Sequence, residues 1–159
     1  MIDEGVTKYQ CDWQHTPALP TELVAELNSW RNRLYDEGLI GYYKRHGVGF
    51  GNVSVREGDS DKFIVSGTQT GHIARTDENH YSRVTDYDIE TNHVGCEGPI
   101  QASSEALTHA AIYALDPAIR AVVLPDDLSF MDMPRAEILL DVEDLQAMLT
   151  FRRIRSDEP

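Results

Sequence analysis

Apolar residues recur at helical spacing first over residues 21–37, where Leu23, Leu27, Trp30 and Leu34 share one face. The pattern predicts a helix with Thr21 as its N-cap and Gly38 as its stop. Residues 1–20, with Pro17 and Pro20, read as an irregular arm. The period then shortens to two. Val53-Ser54-Val55-Arg56 alternates, Glu57-Gly58-Asp59-Ser60-Asp61 turns, and Phe63-Ile64-Val65 returns, which predicts a hairpin. Just ahead of it, Gly47-Val48-Gly49-Phe50-Gly51-Asn52 is too glycine-rich for a helix interior or a regular strand. Residues 81–93 mix Tyr, Val, Thr and Ile with polar positions and predict one or two short strands. Ser103-Ser104 opens a second helix, with Leu107, Ala110, Ala111 and Ala114 as its buried side and Asp116-Pro117 as its end. Ile119-Arg120-Ala121-Val122-Val123-Leu124 reads as a buried strand. Beyond Val123 the pattern changes to a turn at 125–127, a short apolar run at 138–140 and a helix over 141–151 carrying Val142, Leu145 and Leu149. Strand pairs, a helix and a further strand make this an α/β chain.

Composition narrows the partners. The 159 residues carry 14 Lys+Arg against 27 Asp+Glu, a net charge of −13, which argues against nucleic acid or an anionic membrane as a partner. The length suits one domain with a genuine core. No apolar run approaches the roughly 20 residues that span a bilayer, and Met1-Ile2-Asp3-Glu4-Gly5 has neither a basic nor an apolar leader. The expected location is cytoplasmic. Cys11 and Cys96 lie outside any Cys-x-x-Cys spacing and read as free thiols of a reducing compartment, with a pairing between them left open.

Candidate chemistry sits in three short segments. Gly51-Asn52 and Thr70-Gly71 each set a small polar side chain beside glycine at a strand end, where backbone N–H groups can approach an anion unobstructed. Ser103-Ser104 at a helix start adds two hydroxyls and the positive end of a helix dipole. Such a donor set, with little full positive charge, suits the phosphate of a small metabolite. Turn glycines and a capping serine account for the same residues without a ligand. Glu105, next along, is either a carboxylate placed for the dipole or a general acid/base beside the phosphate pocket. His109 lies one turn further on, and the six histidines read as surface or loop residues.

Taken in order, Gly51-Asn52-Val53-Ser54-Val55-Arg56, Ile64-Val65-Ser66-Gly67-Thr68-Gln69-Thr70-Gly71 and Ala102-Ser103-Ser104-Glu105-Ala106-Leu107-Thr108-His109, followed by Tyr113, resemble the class II aldolase/adducin family. The resemblance runs from about Leu23 to Val123. It implies a layered α/β/α domain around a mixed, largely antiparallel sheet over 21–123, with 124–159 as a divergent or truncated tail. It implies phosphate contacts from Asn52, Thr70, Gly71, Ser103 and Ser104, and an acid/base role for Glu105 at the carbon beside a carbonyl. The implied substrate is a small phosphorylated sugar, cleaved or epimerised through an enediolate, in a protein that can be a homo-oligomer.

The family's chemistry also implies zinc or another divalent cation, held by a His-x-His that follows the last strand and a third histidine downstream. This chain has Leu124 and Asp126 at those two positions, and no histidine over 124–159. The expectation is therefore an aldolase-like domain without metal ligands and with impaired catalysis. The alternatives are a non-catalytic binding or assembly module of adducin type, or a truncated remnant.

Overall fold

A computed structural model describes residues 9–125 and the backbone of 137–139. The expected helix over 141–151 lies outside the described residues.

Seven strands form one sheet in the order β1-β7-β6-β5-β4-β8-β9. They are β1 (Gln10–His15), β4 (Asn52–Arg56), β5 (Phe63–Ser66), β6 (Tyr81–Asp88), β7 (His93–Gly98), β8 (Ala121–Leu124) and β9 (Glu137–Leu139), while β2 (Gly41–Tyr43) and β3 (Val48–Phe50) pair separately. Every neighbouring pair in the large sheet is antiparallel except β1 with β7. The architecture is α/β with a mixed, largely antiparallel sheet. Helix α1 (Thr21–Asp36) covers one face and α2 (Ala106–Leu115) the other.

Alternation along the central strands splits the core between these layers. Ile64 packs with Val53, Val123, Val24, Leu27 and Leu34 on the α1 side. Phe63 and Val65 pack with Val122, Leu124, Ala106 and Ala110 on the α2 side. A strand covered on both faces is apolar at successive positions, which is why Phe63-Ile64-Val65 carries no polar alternation. Each such aliphatic or aromatic side chain contributes about 1.5–3 kcal/mol on leaving water.

The structure corrects several sequence expectations. The arm over 1–20 contains β1, whose exposed side chains hid a strand held mainly by its ladder to β7. Thr21 is the first helical residue rather than the cap; Pro20 occupies that position, with no side-chain cap bond. The buried face of α1 is Val24, Leu27, Arg31 and Leu34, rotated from the expected one, and Leu23 is exposed. Gly38 does end the helix, at φ +75°, with its N–H donating to the Tyr35 carbonyl at 3.0 Å. The glycine-rich stretch at 47–52 does form a strand, β3, folded against β2. On α2 the buried positions are Ala106, His109, Ala110, Ile112 and Tyr113, whereas Ala114 is exposed.

Candidate functional site

At one end of the sheet lies a cavity of about 570 Å³. Its walls come from the β2–β3 hairpin, the start of β4, the loop after β5 and the turn before α2. Asn52, Thr70, Gly71, Ser103, Ser104 and Glu105 all line it. Asn52, Thr70 and Ser103 are buried, while Ser104 and Glu105 are exposed at its mouth. Its wall also includes Gln69 and His72, which the sequence reading passed over. Gln69 sits at φ +57°, a left-handed conformation that a side-chain-bearing residue adopts at some cost.

Backbone pairing draws these segments together. Gly67 bridges Ala102, the Thr68 N–H donates to the Gln101 carbonyl at 2.9 Å, and the Ser103 N–H donates to the Ser66 carbonyl at 3.1 Å. The loop after β5 is thereby fastened to the turn leading into α2. Gly71 allows the hairpin to close on the same loop, because a Cβ there would collide with the Gly41 carbonyl oxygen. Ser103 and Ser104 precede the helix rather than open it: α2 begins at Ala106, with Glu105 at the N-cap position. The Ala106 N–H donates to the Ser103 carbonyl at 2.9 Å, and the Glu105 N–H to Ser103 Oγ at 3.3 Å. The Thr70 hydroxyl donates to the Gly67 carbonyl at 2.9 Å. Its proton is committed, so donors for an anion on that side are backbone N–H groups.

Behind the cavity runs a chain of buried hydrogen bonds. Tyr113 Oη meets Ser54 Oγ at 2.7 Å, Ser54 Oγ meets His109 Nδ1 at 2.6 Å, and His109 Nε2 bonds Asn52 Oδ1. Asn52 Nδ2 then donates to Glu105 Oε2 at 3.2 Å. Burial pushes the His109 pKa down to about 3, so the ring is neutral and carries one N–H. The Asn52 carbonyl oxygen can only accept, so His109 Nε2–H is the donor and Nδ1 accepts from the Ser54 hydroxyl. Ser54 in turn accepts from Tyr113. The ordered chain turns the Asn52 amide N–H toward the Glu105 carboxylate. His109 is thus a buried structural residue, not the surface one expected.

Arg31 supports the loop from the opposite side. It is buried on α1 and meets no carboxylate among the described residues; Nη2 donates to the Thr70 carbonyl at 2.7 Å and Nη1 to the Ile73 carbonyl at 2.5 Å. Desolvation lowers its pKa, yet guanidinium remains charged in this setting. The result is a fixed cation directly beneath the loop bearing Thr70 and Gly71. Arg56 does comparable work at the other end of α2, where Nη2 donates to the Tyr113 carbonyl at 2.7 Å and the guanidinium lies 4.8 Å from the Tyr113 ring centroid.

Whether a metal would fit is decided beside Asn52. In the β4–β8 ladder Asn52 pairs with Leu124, whose side chain is buried in the α2-side cluster. An apolar, buried residue holds the position that the family resemblance assigns to a histidine ligand. Both ring nitrogens of His109 are already engaged by protein atoms. Among the described residues no three His, Cys, Asp or Glu side chains gather as a cation site requires. Asp126 lies outside the described residues. The described side chains do not fit a histidine-held metal.

Among the described residues no helix is long and apolar enough to cross a membrane. The model of the class II aldolase and adducin N-terminal domain matches residues 38–124, more than half of the chain. The match begins after α1, later than the resemblance from Leu23 suggested. No curated protein matches the sequence. The solved structure of an L-fuculose 1-phosphate aldolase aligns at a TM-score of 0.47 and 20% identity, over 67% of this chain and 44% of its own. The chain thus spans under half the length of that protein.

Proposed function

Because the chain belongs to the class II aldolase and adducin family, we propose that its cavity binds the phosphate of a small phosphorylated sugar. One observation carries this reading: Asn52, Thr70–Gly71 and Ser103–Glu105, distant in sequence, line a single cavity. The phosphate sits against the backbone N–H groups of the 70–71 loop and the Ser103–Ser104 turn, with the hydroxyls of Ser103 and Ser104 as further donors. The buried Arg31 guanidinium adds a favourable field from below. Glu105, oriented by Asn52, faces the substrate carbon and is the group that moves a proton there. No step of this proposal runs through a metal, because Leu124 and the engaged His109 do not supply ligands. Without fixed charge at a developing enediolate, carbon–carbon cleavage loses several kcal/mol of transition-state stabilisation. We therefore assign the chain sugar-phosphate binding with impaired turnover.

A second reading, a non-catalytic assembly module of adducin type, draws support from Leu124, which fills the metal position with core. Calorimetric titration with dihydroxyacetone phosphate and with unphosphorylated dihydroxyacetone separates the two. Binding of the phosphorylated compound alone, at about millimolar affinity, is the expected outcome. Equal response to both, or to neither, would contradict the phosphate pocket and favour the assembly module. Rapid aldol cleavage of an added longer ketose phosphate would overturn the impaired turnover.

A further inference from the structure

Beside the turn that leads into α2, two thiols meet at the sheet edge. Cys11 on β1 pairs in register with Val94, and Cys96 on β7 pairs with Trp13, so the cysteines lie diagonally across one parallel ladder. Both side chains belong to the α2-side layer, and their sulfurs approach to 3.4 Å across a sequence separation of 85 residues. The contact is a hydrogen bond between free thiols. Cys11 is half-buried and Cys96 is almost fully buried.

We propose that Cys11 and Cys96 form a peroxide-reactive dithiol that closes into a disulfide and fastens β1 to the sheet. The inference is independent of the sugar-phosphate reading. Either sulfur can donate across the 3.4 Å contact; with Cys11 donating, that bond, the Ser82 hydroxyl and the Ala102 backbone N–H hold the Cys96 thiol below the usual range and make it the attacking sulfur. In that arrangement Cys11 is held above the usual range and keeps its proton. The Cys96 thiolate attacks one oxygen of a hydroperoxide, the O–O bond breaks, and the other oxygen leaves with a proton as water or alcohol. Cys96 is then a sulfenic acid. The Cys11 sulfur attacks that sulfur, its proton passes to the departing hydroxyl, and water leaves. Two thiols have lost two electrons in all, and the peroxide has gained them. A small neutral oxidant is required because Cys96 is buried. The bridge closes a long loop in the unfolded chain, so the oxidised protein unfolds at a higher temperature.

The test treats the reduced full chain with hydrogen peroxide at neutral pH, followed by mass spectrometry and thiol titration. The expected result is loss of both titratable thiols, a mass lower by two hydrogens, a raised Tm, and full reversal by dithiothreitol. Cys11→Ser should instead accumulate a sulfenic acid on Cys96 that dimedone traps, whereas Cys96→Ser should react slowly at Cys11. Survival of both thiols in the wild-type chain, or further oxidation of Cys96 to sulfinic acid without a bridge, would overturn the proposal. So would equal reactivity of the single cysteines in the two variants.

Discussion

His109 and Arg31 show how a buried polar residue shapes a site it does not enter. His109 is neutral when folded, because burial drives its pKa down to about 3, whereas in the unfolded chain it takes a proton below about pH 6.5. The unfolded state therefore binds more protons across that window. The contribution of His109 is complete above about pH 6.5 and falls away as pH drops toward about 3. His109→Gln should be less stable at neutral pH by about 1–3 kcal/mol, through imperfect bonds to Ser54 and Asn52. The gap to wild type should narrow as the solution is acidified, which urea unfolding at several pH values would measure; a constant gap would contradict the account. Arg31→Met should cost about 2–4 kcal/mol, because the Thr70 and Ile73 carbonyls lose their buried donor. It should also weaken phosphate binding more than Arg75→Met, a substitution of an exposed arginine paired with Asp36. Equal binding by the two variants would remove Arg31 from the pocket's electrostatics.

At the scale of elements, β1 adds two side-chain ties to its backbone ladder with β7. His93 Nε2 lies 2.8 Å from Asp12 Oδ2, and Trp13 Nε1 donates to the Gly98 carbonyl at 3.0 Å. The hydrogen bond to Asp12 raises the His93 pKa above its ordinary value. The charged pair thus supports β1 fully below about pH 6.5 and is lost as pH rises through the folded-state value. Protection factors of the β1 amides, which remove the intrinsic rise of exchange with pH, should fall over that rise in the wild-type chain and stay flat in His93→Gln; identical protection profiles would show that the pair contributes nothing. The elements also mark where sequence was readable. The β4–β5 hairpin and the end of α2 at Asp116 followed directly from alternation and proline. β1 did not, because an edge strand with five exposed side chains shows no apolar period. The face of α1 was misplaced because Arg31 occupies a core position. An arginine seven residues after Val24 and four after Leu27 was the available signal. Likewise Asn52, Ser54 and Arg56 form a polar stripe at period two on a central strand, a pattern that marks buried hydrogen bonding rather than a solvent face.

For the whole molecule, the sheet sorts its chemistry by position: a donor-rich cavity at one end, a thiol pair at the edge, and two apolar layers between. Legibility followed the same division. The segments that line the cavity are legible because the three motifs occur in the family's order, whereas glycine beside a small polar residue is on its own equally a turn. The internal chain from Tyr113 to Glu105 was not, because hydrogen bonds across the fold leave no local spacing. The central claim is that this cavity receives a phosphate ester. The most direct measurement is an amide chemical-shift titration of the full chain with dihydroxyacetone phosphate. The account predicts saturable shifts at about millimolar ligand, concentrated at Asn52, Thr70, Gly71 and residues 103–105. Shifts spread over unrelated surfaces, or none at saturating concentration, would contradict it.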